Sequence, residues 1–135
     1  MKSIFADSFY YLAISNPKDD AHERAREFSA EYDGRIVTTA WALTEVADGF
    51  AAPRLRSLFT RLLAQIEADP KTTIIGPSQL LFRQGIELYS RRPDKEWSLT
   101  DCISFVVMRK RNLREALTGD QHFEQAGFKI LLKGR

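Results

Sequence analysis

Sulfur and imidazole are scarce in this sequence of 135 residues: it has one cysteine, Cys102, and two histidines, His22 and His122. A lone cysteine excludes an intrachain disulfide, and inside an apolar run Cys102 reads as a small core residue rather than a nucleophile. No suitably spaced cluster of Cys and His is present for zinc. Long apolar runs are missing as well. Nothing is long enough to span a bilayer, and only Ile4, Phe5 and Ala6 precede the charged Asp7, too short a stretch for a signal-peptide core. A cytoplasmic chain with no membrane association is expected. With no internal repeat, low-complexity tract or linker-like segment, residues 1–135 are read as a single domain. An excess of charge is also lacking, since 20 Lys and Arg against 18 Asp and Glu leave a net +2. Basic residues nevertheless gather at Arg54, Arg56 and Arg61, at Arg91, Arg92 and Lys95, and at Arg109, Lys110, Arg111 and Arg114. Each run reads singly as a solvated face, and the aggregate is compatible with a polyanionic substrate.

Turn residues divide the apolar pattern into alternating elements. Ile4 to Ala6 predicts a short strand ending at Asp7, with Ser8 placed to cap a helix carrying Phe9, Tyr10, Leu12 and Ala13. Asn16 and Pro17 close that helix, and a charged helical pattern over residues 20–32 stops at Asp33 and Gly34. Ile36 and Val37 predict a second strand, with Thr38 or Thr39 capping a helix that carries Trp41, Leu43, Glu45, Val46 and Phe50. Pro53 suits the first turn of the next helix, whose apolar face is Leu55, Leu58, Phe59, Leu62 and Ile66. The β-branched run Thr72 to Ile75 predicts a third strand, and Ser78 caps the helix after it. Ser98 and Asp101 resemble a capping box that opens a helix through Met108. A strand over Ala116 to Thr118, a short helix over 121–126, Gly127 as its C-cap and a last strand over Phe128 to Leu132 complete the pattern. Strands alternating with helices predict an α/β fold: three layers, α/β/α, around a central, mainly parallel five-stranded sheet.

In such sheets ligands sit at the carboxyl ends of the strands, where strand order reverses. Asp7 and Asp120 follow predicted strands directly, and Glu45 and Asp101 are expected in the first turns of helices starting at the same edge. Four carboxylates would then converge on one crevice. Two of them about 4 Å apart repel by roughly 4 kcal/mol at an effective dielectric near 20, a cost that a divalent cation removes. Oxygen ligands favour Mg²⁺ or Mn²⁺. One or two such ions can activate a water for in-line attack on a phosphodiester, so no protein nucleophile is required. Singly, each acid has a plainer role as a cap, a dipole partner or a turn residue.

Taken together, the segments Ile4-Phe5-Ala6-Asp7-Ser8, Thr44-Glu45-Val46, Trp97-Ser98-Leu99-Thr100-Asp101-Cys102 and Leu117-Thr118-Gly119-Asp120-Gln121-His122-Phe123, ending at Gly127-Phe128, resemble the successive signatures of the PIN domain. The resemblance covers essentially the whole chain and looks closest to the branch containing the VapC-type toxins of toxin–antitoxin pairs. It implies a metal-dependent endoribonuclease using Mg²⁺, with Mn²⁺ as a substitute. Asp7 and Asp101 would be direct or water-bridged metal ligands. Glu45 and Asp120 would complete the metal-binding pocket or orient the attacking water. Thr118 would hydrogen-bond a carboxylate or a metal-held water, with Thr100 a weaker candidate for the same work. The resemblance further implies an RNA substrate, a cognate antitoxin covering the pocket, and a homodimer. Phe9, Tyr10, Tyr11, Trp41 and Phe50 are the aromatic candidates for an exposed antitoxin face.

Other readings fit less well. A receiver domain needs paired acids after its first strand, and a haloacid-dehalogenase-like phosphatase needs a second Asp where Phe9 stands. A histidine-based ribonuclease needs two convergent imidazoles, whereas His22 reads as surface and His122 as structural or supporting. The alternatives kept are a PIN nuclease of RNA processing that is not a toxin, and an inactive PIN-like module that binds RNA or protein.

Overall fold

Each strand expected from the sequence forms, and each pairs in parallel. The computed structural model describes residues 1–134, with β1 at Ser3–Ala6, β2 at Arg35–Thr39, β3 at Thr72–Ile75, β4 at Glu115–Leu117 and β5 at Lys129–Ile130. The sheet order is β3-β2-β1-β4-β5. Ile4 lies opposite Ile36, Ala6 opposite Leu117, Thr39 opposite Ile75 and Ala116 opposite Ile130.

Successive side chains of a strand point to opposite faces, so β1 supplies both halves of the core. Ile4 and Ala6 join one apolar cluster, and Phe5 joins the other. All three are fully buried, which is why β1 is apolar throughout instead of alternating. The first cluster is covered by α1 (Ser8–Ser15), α2 (His22–Glu31), α3 (Ala40–Gly49) and α4 (Arg56–Ala68), which contribute Tyr10, Ala25, Leu43 and Ile66. The second is covered by α5 (Gln79–Arg91), α6 (Leu99–Lys110) and α7 (Gln121–Gln125), with Phe105 edge-on to both Trp97 and Phe123. The expected three-layer α/β/α architecture is therefore present. No helix among the described residues is long and apolar enough to cross a membrane.

Helix ends follow local chemistry. Thr39, rather than Thr38, caps α3 by accepting from the Ala42 N–H at 3.0 Å. Thr38 instead donates to the Ala6 carbonyl at 2.8 Å, satisfying the last carbonyl of β1. Ser78 caps α5, and Ser98 with Asp101 forms the expected capping box on α6. Gly127 adopts φ +100° after α7. Its N–H donates to Glu124 O and that of Phe128 to Phe123 O, both at 3.0 Å, the paired bonds of a Schellman turn.

Four expectations need correction. Ser8 is the first residue of α1 and does not cap it: Asp7 holds the cap position, without a side-chain cap bond. Pro53 opens a separate 3-10 turn, Pro53–Leu55, ahead of α4. The fourth strand lies one residue earlier than expected, because the Thr118 N–H turns back to the Ala116 carbonyl, and the last covers only Lys129–Ile130 of the run Phe128 to Leu132. Pairing persists beyond them, as Leu131 and Leu132 donate to Ala116 and Thr118. Finally, Tyr10, Tyr11 and Phe50 are buried in the core, and Phe9 and Trp41 are half-buried, so this set is not an exposed aromatic face.

Gly85 is where α5 meets α6. A Cβ there would lie 2.4 Å from Ile103 Cγ1 and 3.4 Å from its Cα, so the two helices would have to shift apart. Gly85→Ala should therefore destabilise the protein despite a gain of about 1 kcal/mol in helix propensity, because overpacking costs about 1–3 kcal/mol. Gly76→Ala, where a Cβ meets nothing within 4 Å, should shift stability by less than about 0.5 kcal/mol. Urea midpoints of the two variants check this pair.

Candidate active site

The chain steps from β1 outward to β2 and β3, then returns to the other side of β1 for β4 and β5. The two halves part at the carboxyl ends of β1 and β4, where a crevice must open. Asp7 leaves β1 directly into it, and Thr118 to Asp120 leave β4 beside it.

Asp7 is only 4% exposed. Its Oδ2 accepts from the Thr118 hydroxyl at 3.0 Å, and this explains why it makes no cap bond on α1. The Thr118 oxygen in turn accepts from the Asp120 backbone N–H at 3.1 Å. One fully buried hydroxyl thus ties the two acidic segments together. Burial is the main force on the Asp7 carboxyl and pushes it up from 3.8 to about 7, against the lowering effect of Thr118 and with further upward pressure from Asp101 and Glu45.

Asp101 is the third residue of α6. Its Oδ2 accepts from the Ser98 N–H at 3.1 Å and lies 3.1 Å from His122 Nδ1, so both contacts use one oxygen. Burial raises its pKa, the Ser98 bond lowers it, Asp120 raises it and His122 lowers it. Glu45 lies in the second turn of α3, not in the first turn expected, and its Oε1 accepts from Ser8 Oγ at 2.9 Å. Burial again leads in raising its pKa, with Asp101 and Asp120 adding to the rise and the Ser8 bond opposing it. Asp120 caps α7 by accepting from the His122 N–H at 2.9 Å, and its Oδ1 is 3.5 Å from the ring Nδ1.

Asp101 and Glu45 thus act on Asp7, and Asp120 acts on both Glu45 and Asp101. Among the described residues, none of Asp7, Glu45 and Asp101 forms an ion pair with Lys or Arg. A desolvated, mutually repelling set of oxygen donors fits a hard divalent cation. Asp101, Asp120 and His122 offer ligand atoms all within 4.8 Å of one another, adding an imidazole that was read from sequence only as structural or supporting. Two supporting contacts were missed, Ser8 on Glu45 and the His122 ring on Asp101, whereas the Ser98 N–H on Asp101 is half of the expected capping box. Ser8 had been assigned to a cap. Its adjacency to Asp7 was the available signal, whereas its pairing with Glu45 is a tertiary contact that no local pattern announces.

A parallel α/β sheet with acids gathered at its switch point is the arrangement that the motif resemblance to the PIN domain implies. No protein-family model matches the chain, but the resemblance carried by the motifs is matched by individual proteins. The chain is 28% identical over 131 residues to the 23S rRNA-specific endonuclease VapC20 of Mycobacterium tuberculosis strain CDC 1551 / Oshkosh, a match spanning 93% of this chain and 95% of the relative. The VapC20 of strain H37Rv gives the same figures. The crystal structure of VapC20, described as a sarcin-ricin loop cleaving toxin, superposes with a TM-score of 0.83 at 27% identity, covering 93% of this chain and 95% of that one. FitAcB from Neisseria gonorrhoeae has a TM-score of 0.66 at 18% identity over 94% of this chain and 95% of that one. FitAB bound to the IR36 DNA fragment has a TM-score of 0.72 at 14% identity over 98% of this chain and 97% of that one. These last two likenesses concern the fold alone.

The raised Asp7 carboxyl makes a prediction about stability. The folded chain holds that proton up to about pH 7, whereas an exposed carboxyl releases it near 3.8. Its contribution is fully present below the unfolded value and is lost as pH rises through the folded one. Metal-free protein should therefore weaken between about pH 4 and pH 7, and Asp7→Asn should be more stable at neutral pH by on the order of a few kcal/mol. Thermal melts in chelator across that range should show the gap between the two proteins closing toward pH 4.

Proposed function

We propose that the chain is a divalent-metal-dependent endoribonuclease that hydrolyses RNA phosphodiester bonds, and the toxin of a toxin–antitoxin pair. Mg²⁺ is the expected ion and Mn²⁺ its substitute. The observation carrying this reading is the gathering of carboxylates at one edge of the sheet, none of which forms an ion pair with Lys or Arg among the described residues. Similarity to a 23S rRNA-specific endonuclease over nearly the whole chain supports it.

In this reading Asp7 and Asp101 hold the ion directly or through water, and Glu45 and Asp120 complete the pocket or orient the attacking water. When bound, the ion supplies the Lewis acidity that makes water nucleophilic near neutral pH and offsets charge on the departing oxygen. The protein's own part is positioning. Thr118 accepts from Asp120 and donates to Asp7, so its single proton is committed and the Asp7 carboxylate is held in one orientation. Ser98 and His122 both engage Oδ2 of Asp101, leaving Oδ1 without a hydrogen bond among the described residues. Ser8 fixes Glu45 from the first turn of α1. An antitoxin covering the pocket, a homodimer and a cytoplasmic location belong to the same proposal.

Purified protein should cleave RNA with Mg²⁺ or Mn²⁺ and stop in excess chelator. Asp101→Asn should lower the rate by at least about 100-fold with an unchanged far-ultraviolet dichroism spectrum. Undiminished cleavage by that variant in chelator would sink the reading. Because water is the nucleophile, fragments should carry 5′-phosphate and 3′-hydroxyl ends, and mass spectrometry of the products distinguishes these from the cyclic phosphates left by attack of a 2′-hydroxyl.

A further inference from the structure

If the chain cuts RNA, as proposed above, a polyanion must come to rest beside four carboxylates, and something adjacent has to hold it there. A groove of about 890 Å³ lies at the tip of the α5–α6 hairpin, with Tyr89, Arg92, Lys95, Glu96, Trp97 and Ser98 in its walls. It adjoins the acidic pocket through Ser98, whose backbone N–H and hydroxyl are the two groups bonded to Asp101 in the capping box. We infer that this groove seats the RNA strand next to the scissile phosphate, with a base on Tyr89 and a backbone phosphate at Lys95.

Four observations carry the assignment. Tyr89 is 54% exposed near the end of α5 and lines the groove, so its ring is presented to solvent. Trp97 is buried, and the Arg92 guanidinium sits 5.1 Å from the centre of its ring. Arg92 is also held by both oxygens of Asp94, at 3.0 and 3.1 Å, so it forms a fixed cationic wall. Lys95 makes no ion pair among the described residues, and Glu96 is the one carboxylate lining the groove. Aromatic platforms with neighbouring cations suit single-stranded nucleic acid, because every base has a face to stack and the strand carries a phosphate at each step. With Arg92 paired to Asp94, Lys95 is the lining cation that has no ion pair among the described residues, and it offers the phosphate contact that the neighbouring acidic pocket lacks.

Binding of a fluorescently labelled single-stranded oligoadenylate, measured by anisotropy in an Asp101→Asn background so that the strand stays intact, tests this. Tyr89→Ala should weaken binding about tenfold, and Tyr89→Trp should retain it. Lys95→Gln should reduce the slope of log affinity against log salt by about 0.7. In chains that keep Asp101, both substitutions should raise KM for RNA and leave kcat unchanged. If the wild-type chain cuts RNA and both variants bind and cut as it does, the groove inference falls and the ribonuclease reading stands. If the wild-type chain cuts nothing yet binds with this dependence on Tyr89 and Lys95, the ribonuclease reading falls and the groove stands as an RNA site. Unchanged RNA binding with loss of self-association in Tyr89→Ala would assign the surface to a protein contact and overturn the inference.

Discussion

The hydrogen-bonded path from the Asp120 N–H through the Thr118 hydroxyl to the Asp7 carboxylate is the constraint on which the site depends. It links residues 111 positions apart in sequence, across the gap where the sheet changes direction. Without it nothing local would hold the Asp7 carboxylate and the segment carrying Asp120 to one another. The hydroxyl is buried completely, so water does not compete for it, and in such surroundings the bond counts for more than it would at the surface. The fold places this residue for a reason visible in the backbone. Thr118 stands one position beyond β4, where the chain has begun to curl but Leu132 still donates to its carbonyl.

Around that link the protein accepts several local losses. The N-terminus of α1 goes without a side-chain cap, because Asp7 is turned into the crevice. Such a cap is typically worth about 1 kcal/mol. Ser8, the other residue able to serve, is directed at Glu45 instead. By contrast α6 keeps its full capping box while presenting Asp101 to the pocket, since a carboxylate has two oxygens and the box uses one of them. Stability and site geometry conflict at the end of β1 and coincide at the start of α6.

Much of the fold was legible because its signals are local. The β-branched run at Thr72, the Ser98–Asp101 spacing and the Gly127 turn each reflect chemistry within a few residues, and each is found where the pattern put it. Three of the acids were legible because Asp7 and Asp120 leave strands and Asp101 opens a helix at one edge of a parallel sheet, whereas Glu45 lies a turn deeper in α3 than its pattern suggested. Less was legible wherever facing mattered. Tyr10, Tyr11 and Phe50 look like candidates for an open surface, yet they pack under the helices of the first layer, while Leu80 and Tyr89 on α5 are exposed. Helical spacing identifies an apolar stripe but not which neighbour covers it. The His122 ring shows the same limit: a short helix of uncertain orientation gave no means of knowing that its Nδ1 would lie between two carboxylates.

Cys102 adjoins the site in sequence but faces the core, fully buried, and burial together with Asp101 pushes its thiol up to about 11. Thiolate, not thiol, is the form that reacts, so burial and the raised pKa both disfavour attack by the native sulfur on maleimides while the domain stays folded. A spectroscopic probe can therefore be attached through a cysteine newly placed on the exposed rim of α5 without first removing the natural one. Modification of Cys102 then becomes a built-in alarm for unfolding during the same measurement.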